Sequence, residues 1–207
     1  MTAGRVWVVR TGTANMASVL AALQRAGRAP RLVATAAELL SADPLVLPGV
    51  GAMGAAMATL AAQGWVAGLR ARVEQNLPTL AICLGLQLLC RESEESPGVG
   101  GLGLIDAPVT RFPASVRVPQ LGWNRVLPGP GCRVLEAGYA YFANSYRLVE
   151  PPAGWSSALA EHGGRFVAAL ERGRVLACQF HPELSGTFGK ALLGRWLASG
   201  SSGGGSC

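Results

Sequence analysis

The sequence predicts an α/β fold, a parallel sheet with helices on both faces. Two observations lead to it. The first ninety residues alternate short, Val- and Leu-rich runs with stretches of helical periodicity, the pattern of repeated β-α units. The chain is also apolar enough to fill such a core, with 50% hydrophobic and 14% charged residues over 207 positions.

Each element follows from local signals. Residues 5–9 form a Val-rich strand. Residues 15–25 carry apolar residues at helical spacing and close at Gly27. A second strand covers 31–33. Thr35 followed three residues later by Glu38 is a capping-box spacing for a helix over 36–40. A third strand at 45–47 ends on Pro48-Gly49. Ala-rich helices follow around 52–62 and 65–75, then a fourth strand at 79–82. From 102 to 180 the runs shorten and Gly/Pro punctuation thickens, notably at Pro128-Gly129-Pro130-Gly131 and Pro151-Pro152. That pattern indicates antiparallel strands and hairpins, a second sheet region. Residues 176–180 read as another buried strand and 188–197 as a closing helix. Residues 1–198 are expected to form one domain, and 199–207 a disordered Gly/Ser tail ending in Cys207.

Composition narrows the function. The net charge of +6 comes from 18 basic and 12 acidic residues, with Lys190 the only lysine. The arginines are dispersed and not interleaved with aromatics, so nucleic acid is not an expected partner. The longest apolar run, 77–90, is too short and too interrupted by Gln87 to span a membrane. The N-terminus lacks the layout of a signal peptide, so a cytoplasmic protein is expected. Five cysteines without a CxxC pair do not suggest a metal site or a disulfide framework, and no cofactor is expected.

Three segments can carry chemistry. Cys83 follows the strand at 79–82 and precedes Leu84-Gly85 and a helical run. Ala81 and Gly85, two residues to either side, give the spacing of a nucleophile elbow. A Cys at a helix N-terminus is biased toward thiolate. Cys90, seven residues on, reads as a helical core residue. There are two histidines, His162 and His181. His162 precedes Gly163-Gly164, a hairpin turn. His181 ends the strand at 176–180, where open α/β sheets place ligands. If the segment stays extended, Glu183 lies on the same side and can orient the ring. The third segment is Pro48-Gly49-Val50-Gly51, whose glycines let backbone N–H groups approach a ligand; with the N–H of Leu84 it can form an oxyanion hole. Nucleophile, base, orienting carboxylate and oxyanion donors together suit amide hydrolysis through a thioester.

This combination resembles the class I glutamine amidotransferases, and within them the branch that serves imidazole glycerol phosphate synthases. The resemblance rests on Cys83 in its elbow and on Gln179-Phe180-His181-Pro182-Glu183-Leu184-Ser185-Gly186. It extends to Pro48-Gly49-Val50-Gly51, Pro119-Gln120-Leu121-Gly122-Trp123-Asn124 and Tyr141-Phe142-Ala143-Asn144-Ser145-Tyr146, and it spans about 6–197. It implies a flavodoxin-like fold with a catalytic triad of Cys83, His181 and Glu183 and an oxyanion hole at Gly51 and Leu84. It further implies glutamine binding by Gln87, Glu95 and the backbone of Asn144, Ser145 and Tyr146. The acidic face 92–95 reads otherwise as solvated, Glu94 more than Glu95.

Ammonia released in solution would be protonated and lost. The resemblance implies that it passes to a (β/α)₈-barrel cyclase subunit, which makes imidazole glycerol phosphate and an aminoimidazole carboxamide ribotide in histidine biosynthesis. Asn15, Trp123 and Leu184 are expected at that heterodimer interface, with Asn124 a further candidate and core packing the other reading of Trp123. The chain departs from the family pattern at Arg10-Thr11-Gly12, where the family has Asp-Tyr-Gly. It also departs at Gln120 and Asn144, each a His in the family, and at Leu184, a basic position. Three other readings stay open: the glutaminase of another synthase such as pyridoxal phosphate synthase, a silent docking subunit, and a free-standing cysteine hydrolase.

Overall fold

The computed structural model describes residues 4–12 and 14–199. One nine-stranded sheet runs through it. Its first half is parallel: β2 (Ala29–Leu32), β1 (Arg5–Val8), β3 (Leu45–Gly49), β4 (Thr79–Cys83) and β12 (Val175–Cys178), in that order. The order then continues antiparallel through β11 (Arg165–Arg172), β10 (Ser156–Glu161), β7 (Gln120–Pro128) and β8 (Gly138–Asn144). A separate three-stranded sheet joins β5 (Cys90–Ser93), β6 (Ile105–Arg111) and β9 (Tyr146–Leu148). β12 thus has a parallel neighbour on one side and an antiparallel one on the other.

The alternation of side chains along the parallel strands builds two cores. Val6, Val8, Val46, Leu80 and Ile82 pack with Val19 and Leu23 of α1 (Met16–Arg25) and with Leu192 and Trp196 of α6 (Gly186–Ser199). Trp7, Leu45, Leu47 and Ala81 face the other way. They pack with Leu39 of α2 (Ala36–Leu39), Met53 and Leu60 of α3 (Met53–Ala62), Leu69 and Val73 of α4 (Val66–Glu74), and Leu86 and Leu89 of α5 (Leu84–Leu89).

The caps follow the sequence. The Asn15 side chain accepts from the Ser18 N–H at the start of α1, and the Glu38 carboxylate accepts from the N–H groups of Ala34 and Thr35 at α2. Burial of Arg72 is harder to foresee. It is fully buried, and its guanidinium donates to the carbonyls of Leu39, Ser41, Asp43 and Pro78 and to the Thr79 hydroxyl. Burial pushes its pKa down to about 10, yet the group stays charged at neutral pH and pins α4 to the start of β4.

Three expectations need correction. Cys90 is buried but not helical: α5 ends at Leu89, and Cys90 caps it and opens β5. Leu86 to Leu89 could not extend the helix because residues 90–93 gain a strand partner in β6. Ser199, assigned to the tail, closes α6 with its hydroxyl donating to the Trp196 carbonyl. The rest of that expectation, residues 200–207 with Cys207, lies outside the described residues. Finally, the segment after β12 is not extended. Pro182, with its φ fixed, starts a 3₁₀ turn over Pro182–Leu184. Among the described residues, no helix is long and apolar enough to cross a membrane.

Candidate active site

Cys83 sits at the junction of β4 and α5 with φ +54° and ψ −105°, a conformation that L side chains rarely adopt. The turn depends on its neighbours. A Cβ at Gly85 would collide with the Leu47 carbonyl on β3, so the residue two past Cys83 has to be glycine. The Ala81 Cβ lies 3.5 Å from the same point.

His181 follows the adjacent strand, β12, which pairs in parallel with β4 at Cys178↔Ile82. Both strands run the same way, so their carboxyl ends bring Cys83 and His181 side by side. The His181 ring interacts with Cys83, and its Nδ1 lies 2.8 Å from Oε1 of Glu183. The backbone of His181 is held as firmly: its N–H donates to the Tyr141 carbonyl and its carbonyl accepts from the Ser185 hydroxyl. Burial opposes the charge on His181, but the bonds to Cys83 and Glu183 outweigh it and raise the pKa to about 10. The imidazolium form is therefore favoured at neutral pH. Glu183 reaches the ring from within the 3₁₀ turn rather than along an extended chain. Its Oε2 is buried with no hydrogen-bond partner among the described residues.

A pocket of about 190 Å³ opens over Cys83. It is lined by Val50, Gly51, Leu84, Gln87, Glu95 and the segment from Ala143 to Tyr146. Cys83, both expected oxyanion residues and all five expected glutamine-binding residues therefore share one cavity. Gly51 has φ +84°, open to glycine, and Gly49 approaches the Leu84 side chain so closely that a Cβ would lie 3.0 Å from it. The Gln87 amide donates to the Tyr146 carbonyl and to Oε1 of Gln179. Burial raises the pKa of Glu95 and a bond from the Met53 N–H works against that rise. Glu94 instead accepts from the Arg111 N–H, a structural bond outside the pocket.

Gln179 was missing from the sequence reading as a site residue. It is fully buried and its amide Nε2 lies 3.6 Å from the Cys83 sulfur. The signal was a polar residue in an otherwise apolar run, two positions before His181. Gln120 and Asn144 lie directly opposite one another on β7 and β8, and each has a buried carbonyl oxygen without a hydrogen-bond partner among the described residues. Asn144 donates to the Tyr146 carbonyl, so its side chain as well as its backbone shapes the pocket. His162 stands apart, its ring bonded to the Arg117 carbonyl and edge-on to Phe112.

The three expected interface residues differ. Trp123 is 59% exposed on β7, with Leu121 and Tyr139 exposed beside it, so core packing is not its role. Leu184, next to Glu183, is exposed. Asn15 is committed to capping α1, and Asn124 to bonds with the Glu161 carbonyl and the Arg125 N–H.

This constellation is matched by a family model, "Glutamine amidotransferase class-I", over residues 14–198. The chain belongs to the class I glutamine amidotransferase family. Within the family it is 40% identical over 198 residues to the imidazole glycerol phosphate synthase subunit HisH of Pectobacterium atrosepticum, covering 93% of this chain and 98% of that protein. It is also 40% identical over 193 residues to the chloroplastic imidazole glycerol phosphate synthase hisHF of Arabidopsis thaliana. There it spans 90% of itself but only 33% of the plant protein. Among solved structures, a glutamine amidotransferase superposes with a TM-score of 0.74 at 23% identity, covering 94% of this chain and 98% of that one, a likeness of fold.

Proposed function

We propose that this chain is the glutaminase subunit of an imidazole glycerol phosphate synthase, acting in the cytoplasm in histidine biosynthesis through one domain over residues 1–198. The observation that carries the catalytic half of this reading is the Cys83 elbow, with the bonded pair His181–Glu183 beside it under a pocket the size of one amino acid.

The chemistry follows from the geometry. His181 holds the proton of Cys83, and Glu183 steadies the imidazolium through Nδ1. The thiolate attacks the side-chain amide carbon of glutamine. The N–H groups of Gly51 and Leu84 take the oxyanion as it forms, a role whose loss typically costs about 10²–10³ in rate. As the tetrahedral species collapses, His181 delivers its proton to the departing nitrogen and ammonia leaves. His181, now neutral, takes a proton from water, which cleaves the thioester to glutamate and restores the thiol. Glu95 suits the α-ammonium of glutamine, with Gln87 beside it, and the N–H groups of 144–146 suit its carboxylate.

The partner is a (β/α)₈-barrel cyclase that receives the ammonia. Two observations support it. The similar plant protein is three times longer than the matching segment, as a fusion would be. Leu121 and Trp123 on β7, Tyr139 on the paired β8 and Leu184 next to Glu183 are also large apolar side chains left exposed, as a docking surface would require.

The test is glutamate release from glutamine by this chain, alone and with a cyclase barrel and its ribotide, beside Cys83→Ala. The expected result is strong stimulation by the barrel, abolished in the variant. Equal turnover without the barrel would point to a free-standing hydrolase, and no turnover despite complex formation to a docking subunit.

A further inference from the structure

The Thr11 hydroxyl donates to the carbonyl oxygen of Pro48 at 3.0 Å, and both residues are buried, Thr11 completely. The place of this bond in the sheet gives it meaning. β1 pairs with β3 only at Trp7↔Leu45 and Val8↔Val46, and the Val9 N–H onto the Val46 carbonyl follows as a further rung. Carbonyls two residues apart on a strand face the same side. The Pro48 carbonyl therefore faces the edge where β1 has already ended. Proline also brings no N–H of its own to the ladder. The Thr11 hydroxyl stands in for the missing strand.

What it holds is the root of the oxyanion loop. Gly49 is the last residue of β3 and is registered with Cys83 on β4, and Val50 and Gly51 follow directly into the pocket. The peptide between Pro48 and Gly49 is planar, so fixing its carbonyl fixes the heading of the Gly49 N–H and of the chain beyond it. We propose that Thr11 is a positioning residue for glutamine hydrolysis: its hydroxyl sets the Pro48–Gly49 peptide so that the Gly51 and Leu84 N–H groups converge on the oxyanion. Thr11 does not line the pocket over Cys83 and acts only through the loop. The proposal rests on the glutaminase reading and deepens it.

An oxyanion exists in the transition state and not in bound glutamine, so a loosened loop lowers kcat and spares KM. The experiment compares wild type, Thr11→Val and Thr11→Ser, each in complex with the cyclase barrel. Three quantities are read: kcat and KM for glutamate release, the rate of Cys83 alkylation by iodoacetamide, and the thermal midpoint. Alkylation forms no oxyanion, so it reports an intact Cys83–His181 pair independently of the loop. Expected is an about 10- to 100-fold lower kcat in Thr11→Val, with KM within about twofold and alkylation at the wild-type rate. Thr11→Ser, which keeps the hydroxyl, restores most of the activity. Should Thr11→Val fail to fold, Thr11→Ala is read in the same way. Wild-type kcat in the variant without a hydroxyl overturns the proposal. So does a parallel loss of alkylation and turnover, or a Ser variant no better than Val. A wild-type complex that releases no glutamate overturns the functional reading itself, and this inference with it.

Discussion

Oε1 of Glu183 lies 2.8 Å from Nδ1 of His181, with both side chains about 95% buried. The carboxylate is one of two groups, with the Cys83 thiol, that raise the His181 pKa to about 10 against the opposing effect of burial. Glu183→Gln removes the negative charge while keeping the shape. The His181 pKa is then expected to fall, and with it the alkaline limb of the pH profile of kcat/KM for glutamine. The same substitution alters stability against pH. A group whose pKa is raised on folding, here from about 6.5, stabilises fully below its unfolded pKa and loses that contribution as pH rises through about 10. Urea denaturation between pH 6.5 and 10 should show the wild type weakening more than Glu183→Gln. An alkaline limb unmoved by the substitution would mean that Glu183 does not tune the base.

The strained backbone at Cys83 predicts a trade of stability against activity. Both Cys83→Ala and Cys83→Gly abolish glutamate release. Only glycine adopts φ +54° without penalty. Cys83→Gly is therefore expected to unfold at higher urea than Cys83→Ala, by about 1 kcal/mol after the greater chain entropy of glycine is counted. Equal midpoints would show that the elbow stores no strain.

Glu95 lines the pocket and is partly buried. If it receives the α-ammonium of glutamine, Glu95→Gln weakens a charge-assisted bond by about 1.5–3 kcal/mol. KM for glutamine should rise roughly 10- to 100-fold with kcat changed far less. A kcat effect with unchanged KM would place Glu95 in the chemistry instead.

Trp123 packs edge-on to Tyr141 at 6.3 Å but is otherwise largely in solvent. Trp123→Ala should leave the isolated chain within about 0.5 kcal/mol of wild type. Association with the cyclase barrel should weaken by about 2 kcal/mol, roughly 30-fold, as for a central aromatic anchor. Calorimetric titration of the two subunits measures this directly.

Much of this was legible because strong local rules governed it. Thr35 and Glu38 announce their capping box, and Cys83 between Ala81 and Gly85 announces a sharp turn. The two faces of the sheet follow from alternation along residues 6–9 and 45–47. What escaped depended on partners distant in the chain. Cys90 continues an apolar helical pattern, and only its pairing with Ile105 on β6 makes it a strand residue. The i, i+2 argument brought Glu183 to His181, but through the wrong backbone, because Pro182 tips the chain into a turn. Gln179 and Thr11 act across 96 and 37 positions, separations at which no periodicity speaks. Arg72 is one of 17 dispersed arginines, and nothing near it in sequence marks the five acceptors that surround it.

The pairing of β4 with β12 has a consequence for how such a chain can change over time. Cys83 and Gln179 stand on neighbouring strands although 96 positions separate them. Their spacing is set by the ladder between those two strands, not by the excursion of chain that leaves one and returns to the other. That excursion holds β5 to β11, the second sheet and the hairpin that bears Trp123. Away from α5, Tyr141 and residues 143–146, it can lengthen, shorten or acquire a new outer surface without moving sulfur relative to imidazole, provided it hands the chain back to β12 in the same frame. A slip of one residue at Cys178↔Ile82 would do the opposite: every loop could stay intact while Cys83 and His181 faced different sides of the sheet.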